Sequence, residues 1–232
     1  MDGVTYYTPP SGRQNHSAAV ANFFMMNNDS SIPGIILAGG LAKRMGGGDK
    51  CLLPLGGKTL LQRCVERAQP QTQPLLLNAN GSSLRFARTR LPVVADLIDS
   101  FPGPLAGIHA GLVYMSEHQP ACEWLASFAC DTPFFPLDLV SRLQQAAQDQ
   151  DAQIIVARCD GRVHPIFGLW HVSLAAHIEQ LLAQGKSPRI QEWIATQKTV
   201  YVDFVSADYD PFFNINTPQD LYTAEAQLSL VK

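Results

Sequence analysis

The sequence predicts an α/β domain whose β-sheet is mostly parallel. Short apolar segments that suit buried strands alternate along the chain with segments of helical periodicity. The first of these strands ends in glycines, and the loop that leaves the first strand of an open α/β sheet lies at the edge where ligands bind. With 232 residues, of which 46% are hydrophobic, the chain can bury a sizeable core, so a disordered or fibrous chain is excluded.

The individual elements follow from local patterns. Residues 34–38 form a short apolar run closed by glycines, which predicts a buried strand. Residues 59–69 predict a helix whose inner face carries Leu60, Leu61, Cys64, Val65 and Ala68. Further strands are predicted at 75–77, 92–95, 124–129, 153–157 and 199–204, and further helices at 105–115, 136–148, 173–183 and 188–195.

Three further predictions concern the second half of the chain. Residues 162–171 alternate enough to form a strand or a hairpin arm. The last helix is predicted to begin at Pro218, with Thr217 as its N-cap. In the helix at 136–148, Leu137 is expected to face inward together with Leu139, Val140 and Leu143.

Residues 1–31 are predicted to lie outside the domain, which would comprise residues 32–232. The segment contains Pro9 and Pro10 and a polar run at 27–31, but no useful period of two or 3.6 residues. It is therefore expected to be a loose extension.

Charge and composition limit the partners. Seventeen basic against twenty acidic side chains give a net charge of −3, which is too little positive charge for gripping a nucleic-acid polymer. No apolar run reaches the roughly 18 residues of a membrane span, and the N-terminus lacks the pattern of a signal peptide. The prediction is a cytoplasmic protein without membrane contact. Five widely spaced cysteines favour buried thiols over disulfides or a zinc site.

The glycine-rich segment 37–50 is the strongest candidate for phosphate binding. It holds five glycines together with Lys43, Arg44 and Lys50, so backbone N–H groups and cations can both meet an anion. A dinucleotide-binding G-x-G-x-x-G is excluded because Cys51 stands at the position of its last glycine. A P-loop is excluded because Leu52 stands where its first glycine is required. The alternative is a flexible surface loop.

Polar side chains after three other strands are further candidates. Asp131 follows the strand at 124–129 and could hold Mg²⁺ on phosphate oxygens, or it could cap the next helix. Asn78 and Asp96 follow two more strands and could bind a base or a sugar, or could serve only as turn residues.

The C-terminal part of the chain contributes three weaker candidates. Asn214 and Asn216 directly precede the last helix and by themselves indicate a turn at the end of a strand. His164 precedes Pro165, and the six histidines show no metal-binding spacing.

Together these residues resemble the molybdenum cofactor guanylyltransferase family, within the Rossmann-like nucleotidyltransferases. The resemblance spans about residues 33–228 and rests on L-A-G-G at 37–40, R-M-G-G at 44–47, D-K at 49–50, G-P-L-A-G at 103–107, C-D-T-P at 130–133, H-P at 164–165 and N-I-N-T-P at 214–218. It implies a three-layer α/β/α fold. It also implies transfer of GMP from GTP to the phosphate of molybdopterin with Mg²⁺, release of pyrophosphate, and transient contacts with proteins that synthesise or accept the molybdenum cofactor.

The resemblance also implies a role for each motif residue. The nucleotide would be bound by Leu37, Ala38, Gly39, Gly40, Lys50, Asn78, Asp96 and Asp131. The catalytic residues would be Lys50, Asp131 and Arg44, with Asp131 as the Mg²⁺ ligand. The pterin side would be formed by Asn214, Asn216 and His164.

Two alternatives stay open at this point. The first is a cytidylyltransferase or sugar-phosphate nucleotidyltransferase of the same superfamily. By analogy with the cytidylyltransferases, the small residues Gly39 and Gly40 favour a purine nucleotide here rather than CTP. The second is a non-catalytic module that binds GTP. The presence of both Lys50 and Asp131 favours catalysis over that module, because binding alone does not need a metal-binding carboxylate.

Overall fold

A seven-stranded sheet is the centre of the computed structural model, which describes residues 32–39, 49–98, 103–148, 151–186 and 188–230. The strands are β1 (Gly34–Leu37), β2 (Pro54–Leu55), β3 (Lys58–Thr59), β4 (Leu75–Asn78), β5 (Val93–Val94), β6 (Trp124–Ala129), β7 (Ile154–Cys159), β8 (Arg162–His171) and β9 (Thr199–Phe204). The helices are α1 (Leu60–Ala68), α2 (Pro104–His118), α3 (Leu139–Gln148), α4 (Leu174–Ala183), α5 (Ile190–Ile194) and α6 (Pro218–Gln227), with short 3-10 helices at Lys50–Leu52 and Ser83–Thr89.

The order of strands in the large sheet is β5-β4-β1-β6-β8-β7-β9, and β2 and β3 form a separate hairpin. All neighbours in the large sheet pair in parallel except at β8, which is antiparallel to β6 and β7. The chain reverses between β7 and β8 at Asp160 and Gly161, whose φ angles of 48° and 80° are those that a tight hairpin turn requires. The predicted mostly parallel sheet is therefore confirmed, with 162–171 as a hairpin arm.

Helices cover both faces of this sheet. Successive side chains of β1 point to opposite faces, so Ile35 packs in a cluster with α2, α4 and α5, while Ile36 packs in a cluster with α1 and α3. Both isoleucines have no exposed surface. The three-layer α/β/α fold is confirmed, with the main core on the two sides of the sheet.

The strand register aligns four carboxyl ends at one edge. Leu37 pairs with Asn78 on one side and with Ala129 on the other, and Asn78 pairs with Val94. Three strand spacings separate Val94 from Ala129, which corresponds to about 14 Å across the sheet. The candidate residues that follow β4, β5 and β6 are therefore brought to a common edge.

The start of α3 differs from the prediction. This helix begins at Leu139 rather than at residue 136, and Leu137 is 54% exposed, so its predicted inward position is wrong. Phe134 and Phe135 directly precede this stretch and are buried in two different clusters, so the path of the chain is set by their burial, and residues 137 and 138 form a turn before the helix begins. The hairpin of β2 and β3 is not among the predicted elements, because two-residue strands are too short to show a period. Its turn is formed by Gly56 and Gly57, whose φ angles of 53° and 76° suit a two-residue hairpin connection.

Several predictions concern parts of the chain that the structure does not describe. The extension at 1–31 lies outside the described residues, and so do Gly40 and Arg44 of the glycine-rich segment.

Among the helices that are described, none has the length and apolar character needed to cross a membrane. The cytoplasmic location stays a prediction. All five cysteines are free thiols, and every one except the half-buried Cys122 is buried, as predicted.

Candidate active site

The ammonium group of Lys50 lies at the centre of the candidate site. Its Nζ donates to Asp131 Oδ2 at 2.6 Å, to Asn216 Oδ1 at 2.6 Å and to Asn214 Oδ1 at 3.4 Å. The side chain of Lys50 is only 8% exposed and that of Asp131 is 21% exposed, so these contacts form largely out of water, where they are stronger. Residues separated by 81 and 166 positions in the sequence thus form one polar cluster.

Each member of this cluster is placed by a different element. Lys50 opens the 3-10 helix Lys50–Leu52, and Asp131 follows the end of β6 by two residues. Asn214 and Asn216 flank Ile215, which has no exposed surface and packs against the hairpin and α6. The backbone N–H of Ile215 donates to the carbonyl of Asp131 at 2.9 Å, which ties this segment to the end of β6.

The alternative role of Asp131 as a helix cap does not agree with its contacts. Helix α3 begins eight residues later, at Leu139. The carboxylate accepts from Lys50 at 2.6 Å and from Thr132 Oγ1 at 3.3 Å instead. Asp131 therefore presents its charge to a cation at the edge of the sheet.

A second polar cluster lies at the ends of β4 and β5. Asn78 Nδ2 donates to Asp96 Oδ1 at 2.8 Å, and Asn80 Nδ2 donates to Asp96 Oδ2 at 2.8 Å. The backbone N–H of Asp96 donates back to Asn80 Oδ1 at 2.9 Å. Asn78 and Asp96 thus act as a connected pair rather than as isolated turn residues. Asn80 is not among the residues predicted for the site, because the dipeptide that it forms with Gly81 is typical of a turn.

Arg85 links the two clusters. Its Nε is 2.9 Å from Asp49 Oδ2, and its Nη2 donates to the carbonyl of Asn80 at 2.5 Å. Asp49 directly precedes Lys50, so the guanidinium connects the segment after β4 with the segment that carries the central lysine. Sequence patterns do not identify Arg85, because its partners lie at two separate points of the chain.

Of the remaining candidates that the structure describes, Leu37 and Ala38 contact the ends of the neighbouring strands. The backbone N–H of Ala38 donates to the carbonyl of Asn78 at 2.9 Å. The carbonyl of Leu37 accepts from the backbone N–H of Cys130 at 3.3 Å, and Gly39 is exposed.

His164 is buried and stacks on Phe212, with ring centroids 4.5 Å apart. Burial, assisted by the charge of Arg162, lowers the pKa of His164 to about 4, so its ring is neutral at pH 7.

The donor set agrees with a divalent cation that is shared with a ligand. Within the described part of the chain, no three histidine, cysteine or carboxylate side chains stand close enough to hold a metal ion by themselves. Asp131 nevertheless holds a cation already, in the form of the Lys50 ammonium. One carboxylate combined with phosphate oxygens of a substrate is a common way of binding Mg²⁺, so the residues present fit such an ion.

We expect Gly107→Ala to weaken nucleotide binding by about tenfold, since overpacking here must displace the side chain of Asn78, a candidate nucleotide-binding residue. A Cβ atom at position 107 would overlap Asn78 Oδ1 and would lie 2.9 Å from Leu37 Cδ2. Gly111→Ala is the matched control on the same helix, because its Cβ would meet only core atoms, at 2.7 Å from Leu125 Cδ2 and 2.9 Å from Ile35 Cδ1.

Both glycine variants should lose about 1–3 kcal/mol of the free energy of unfolding. Isothermal titration with GTP and thermal unfolding on the same preparations separate the two effects. Equal GTP affinity in the two variants would show that Asn78 takes no part in binding.

The open α/β sheet carries polar side chains at the carboxyl ends of its strands and a lysine–aspartate pair at the same edge. This arrangement fits a nucleotidyltransferase of Rossmann-like fold. In agreement, residues 34–200 match the family model described as the MobA-like NTP transferase domain. A molybdenum cofactor guanylyltransferase of Rhodopseudomonas palustris strain BisB5 is 46% identical over 200 residues, which cover 86% of this chain and 95% of that protein. The chain belongs to the molybdenum cofactor guanylyltransferase family, so the predicted family and enzyme class are confirmed.

The fold is also found in solved structures. Molybdopterin-guanine dinucleotide biosynthesis protein A of Archaeoglobus fulgidus has a TM-score of 0.71 at 24% identity, covering 86% of this chain and 100% of that chain. The protein Rv0371C of Mycobacterium tuberculosis, solved as a complex with manganese, has a TM-score of 0.63 at 15% identity, covering 85% of this chain and 99% of that chain.

Proposed function

We propose that the protein transfers GMP from GTP to the phosphate of molybdopterin and releases pyrophosphate. The observation that carries this proposal is the Lys50 ammonium, which is held by Asp131 at 2.6 Å at the sheet edge that also holds Asn78 and Asp96. The ends of β5 and β6 are about 14 Å apart, a span that suits a nucleotide lying along the edge with its base at one end and its phosphates at the other. Membership of the guanylyltransferase family supports the same substrates.

The nucleoside would lie at the cluster of Asn78 and Asp96. A carboxylate is an acceptor only, and the edge of guanine offers N–H donors to it, whereas the amide of Asn78 both donates and accepts. Leu37, Ala38 and Gly39 would border the same nucleotide because they lie at the carboxyl end of β1, which runs between β4 and β6. We propose the same role for Gly40 on the basis of its motif alone.

The triphosphate would lie at Lys50. An oxygen of the acceptor phosphate is already a nucleophile at pH 7, so this transfer needs alignment and charge stabilisation rather than an activated serine or cysteine. Lys50 would exchange its contact with Asp131 for the phosphate oxygens, which leaves the carboxylate available for a metal ion. Asp131 would hold the divalent cation, which we propose to be Mg²⁺ and which would supply positive charge to offset that of the phosphates.

Two of the other predicted residues contact this lysine, and the roles of Arg44 and His164 are proposed from their motifs alone. Asn214 and Asn216 contact Lys50 Nζ, which supports a position beside the phosphates on the side where the pterin substrate approaches. Arg44 would add positive charge near the phosphates, and His164 would border the pterin side as a neutral ring. We further propose a cytoplasmic protein that exchanges its substrate and product with other proteins of molybdenum cofactor synthesis.

GTP should raise the melting temperature more than ATP or CTP at equal concentration with Mg²⁺. Binding to the native state stabilises it by mass action, by about 2.7 kcal/mol at a hundred times the dissociation constant. Asp96→Asn should remove this preference for GTP, whereas Asp151→Asn, at an exposed partner of Lys198, should keep it. Equal protection by CTP would contradict the guanylyl assignment and would favour a cytidylyltransferase.

Release of pyrophosphate separates the enzyme from a non-catalytic GTP-binding module. We expect pyrophosphate from GTP only when molybdopterin is present as the acceptor, because the acceptor phosphate is the nucleophile. Binding of GTP without any release in the presence of the acceptor would favour the module.

A further inference from the structure

The first turn of α6 holds the segment that carries Asn214 and Asn216. Thr217 is the N-cap of this helix, and its Oγ1 accepts from the backbone N–H of Asp220 at 3.1 Å. In return, Asp220 Oδ2 accepts from the backbone N–H of Thr217 at 2.8 Å, which completes a capping box. The same oxygen also accepts from the backbone N–H of Asn216 at 2.8 Å, so the carboxylate holds one residue beyond the box.

This additional bond matters because packing does not fix the two asparagines. Ile215 is completely buried, but Asn214 and Asn216 are exposed on either side of it. The backbone anchors of the segment are the bond from Ile215 N–H to the Asp131 carbonyl at 2.9 Å and the Asp220 carboxylate. Of these two, the carboxylate anchors Asn216 itself, whose Oδ1 lies 2.6 Å from Lys50 Nζ.

The charge of Asp220 agrees with this arrangement. The backbone hydrogen bond from Asn216 lowers the pKa of the Asp220 carboxyl below its ordinary value, and the bonds from Thr217 and the charge of Lys50 act in the same direction. The carboxylate is therefore ionised at neutral pH and strengthens the two backbone bonds that it accepts.

We propose that Asp220 is a positioning residue for nucleotidyl transfer, which holds Asn216 so that its side-chain oxygen sets the place of the Lys50 ammonium. This inference rests on the proposed function in one respect, because it takes Lys50 as the group that meets the phosphates of GTP. Asp220 itself is expected to touch neither the nucleotide nor the acceptor. Its effect passes through one side chain, Asn216.

The test compares Asp220→Ala with Glu225→Ala. Glu225 lies on the same helix, and its Oε1 accepts from the backbone N–H of Gly56 at 2.8 Å, away from Lys50. Both variants lose a carboxylate that binds backbone, so both should lower the melting temperature to a similar degree. Only Asp220→Ala should lower kcat, by about tenfold, with a change of less than about threefold in the KM for GTP. The conservative variant Asp220→Asn keeps an acceptor oxygen and should recover part of kcat.

Hydrogen exchange followed by NMR gives a second measurement on the full chain without substrates. The backbone amide of Asn216 should exchange about tenfold faster in Asp220→Ala and unchanged in Glu225→Ala. The inference would be overturned if the backbone amide of Asn216 exchanged at the same rate in Asp220→Ala as in the wild-type protein. An equal loss of kcat in both variants would overturn it as well. Failure of the wild-type protein to transfer GMP would instead count against the proposed function, and the exchange measurement would still decide whether Asp220 holds Asn216.

Discussion

Asp131→Asn should lower the rate of GMP transfer by about a hundredfold or more, as expected for the loss of a preorganised electrostatic group. Asparagine has nearly the same shape and keeps an oxygen that can accept from Lys50, so the polar cluster persists. The lost charge is the one that would hold a divalent cation against the phosphates. Because Lys50 loses its ionic partner at an 8% exposed position, we also expect about 1–2 kcal/mol less stability. The loss of turnover should far exceed what this destabilisation explains.

The matched control for this variant is Asp138→Asn. Asp138 lies seven residues further along, and its side chain is 61% exposed and only loosely paired with Arg142 at 3.9 Å. Turnover and melting temperature of Asp138→Asn should stay close to those of the wild-type protein, as is usual for surface substitutions. Guanylyl transfer and thermal unfolding are measured on the same preparations. An Asp131→Asn protein that is fully active but less stable would mean that Asp131 is only the structural partner of Lys50.

Lys50→Met should weaken GTP binding and lower turnover, each by about tenfold or more, because the ammonium would meet phosphate oxygens in the ground state as well as in the transition state. Methionine keeps the length and the apolar stem of the side chain. Removing the cation leaves Asp131 without its charged partner, and loss of one member of a buried ion pair costs up to about 3–5 kcal/mol. Since Asp131 retains 21% exposure, the lower part of this range is expected.

The double variant Lys50→Met/Asp131→Asn separates the two roles of the lysine. It contains no uncompensated charge, so it should be more stable than Lys50→Met alone but equally inactive. Lys58→Met is the control variant, because it removes a lysine from an exposed site. Lys58 pairs with Glu66 at 2.7 Å, and such surface ion pairs contribute little to the free energy of unfolding. Isothermal titration with GTP is the deciding measurement. Wild-type affinity in Lys50→Met would assign Lys50 a structural role only.

Most of the fold could be predicted from the sequence because its long elements have strong local signals. A single apolar face in residues 59–69 predicts helix α1, and the capping box at Thr59 marks where this helix begins. The buried strand β6 has the predicted bounds, and the parallel sheet follows from the alternation of strands with helices. The start of α3 could not be predicted, since it depends on where Phe134 and Phe135 are buried. Nothing in the local pattern around Pro136 contains that information.

The residues that are available for chemistry at the edge of the sheet could be predicted from the amino-acid sequence alone. Lys50, Asn78, Asp96 and Asp131 were all expected there, because they follow buried strands or belong to the glycine-rich segment. Their contacts depend on how the chain folds: Lys50 binds Asp131, Asn214 and Asn216, Arg85 joins the two clusters, and Asp220 holds Asn216. The physical reason is that local periodicity encodes which face of an element is buried, whereas a contact across 81 or 166 residues is set by strand register and by the burial of side chains such as Ile215.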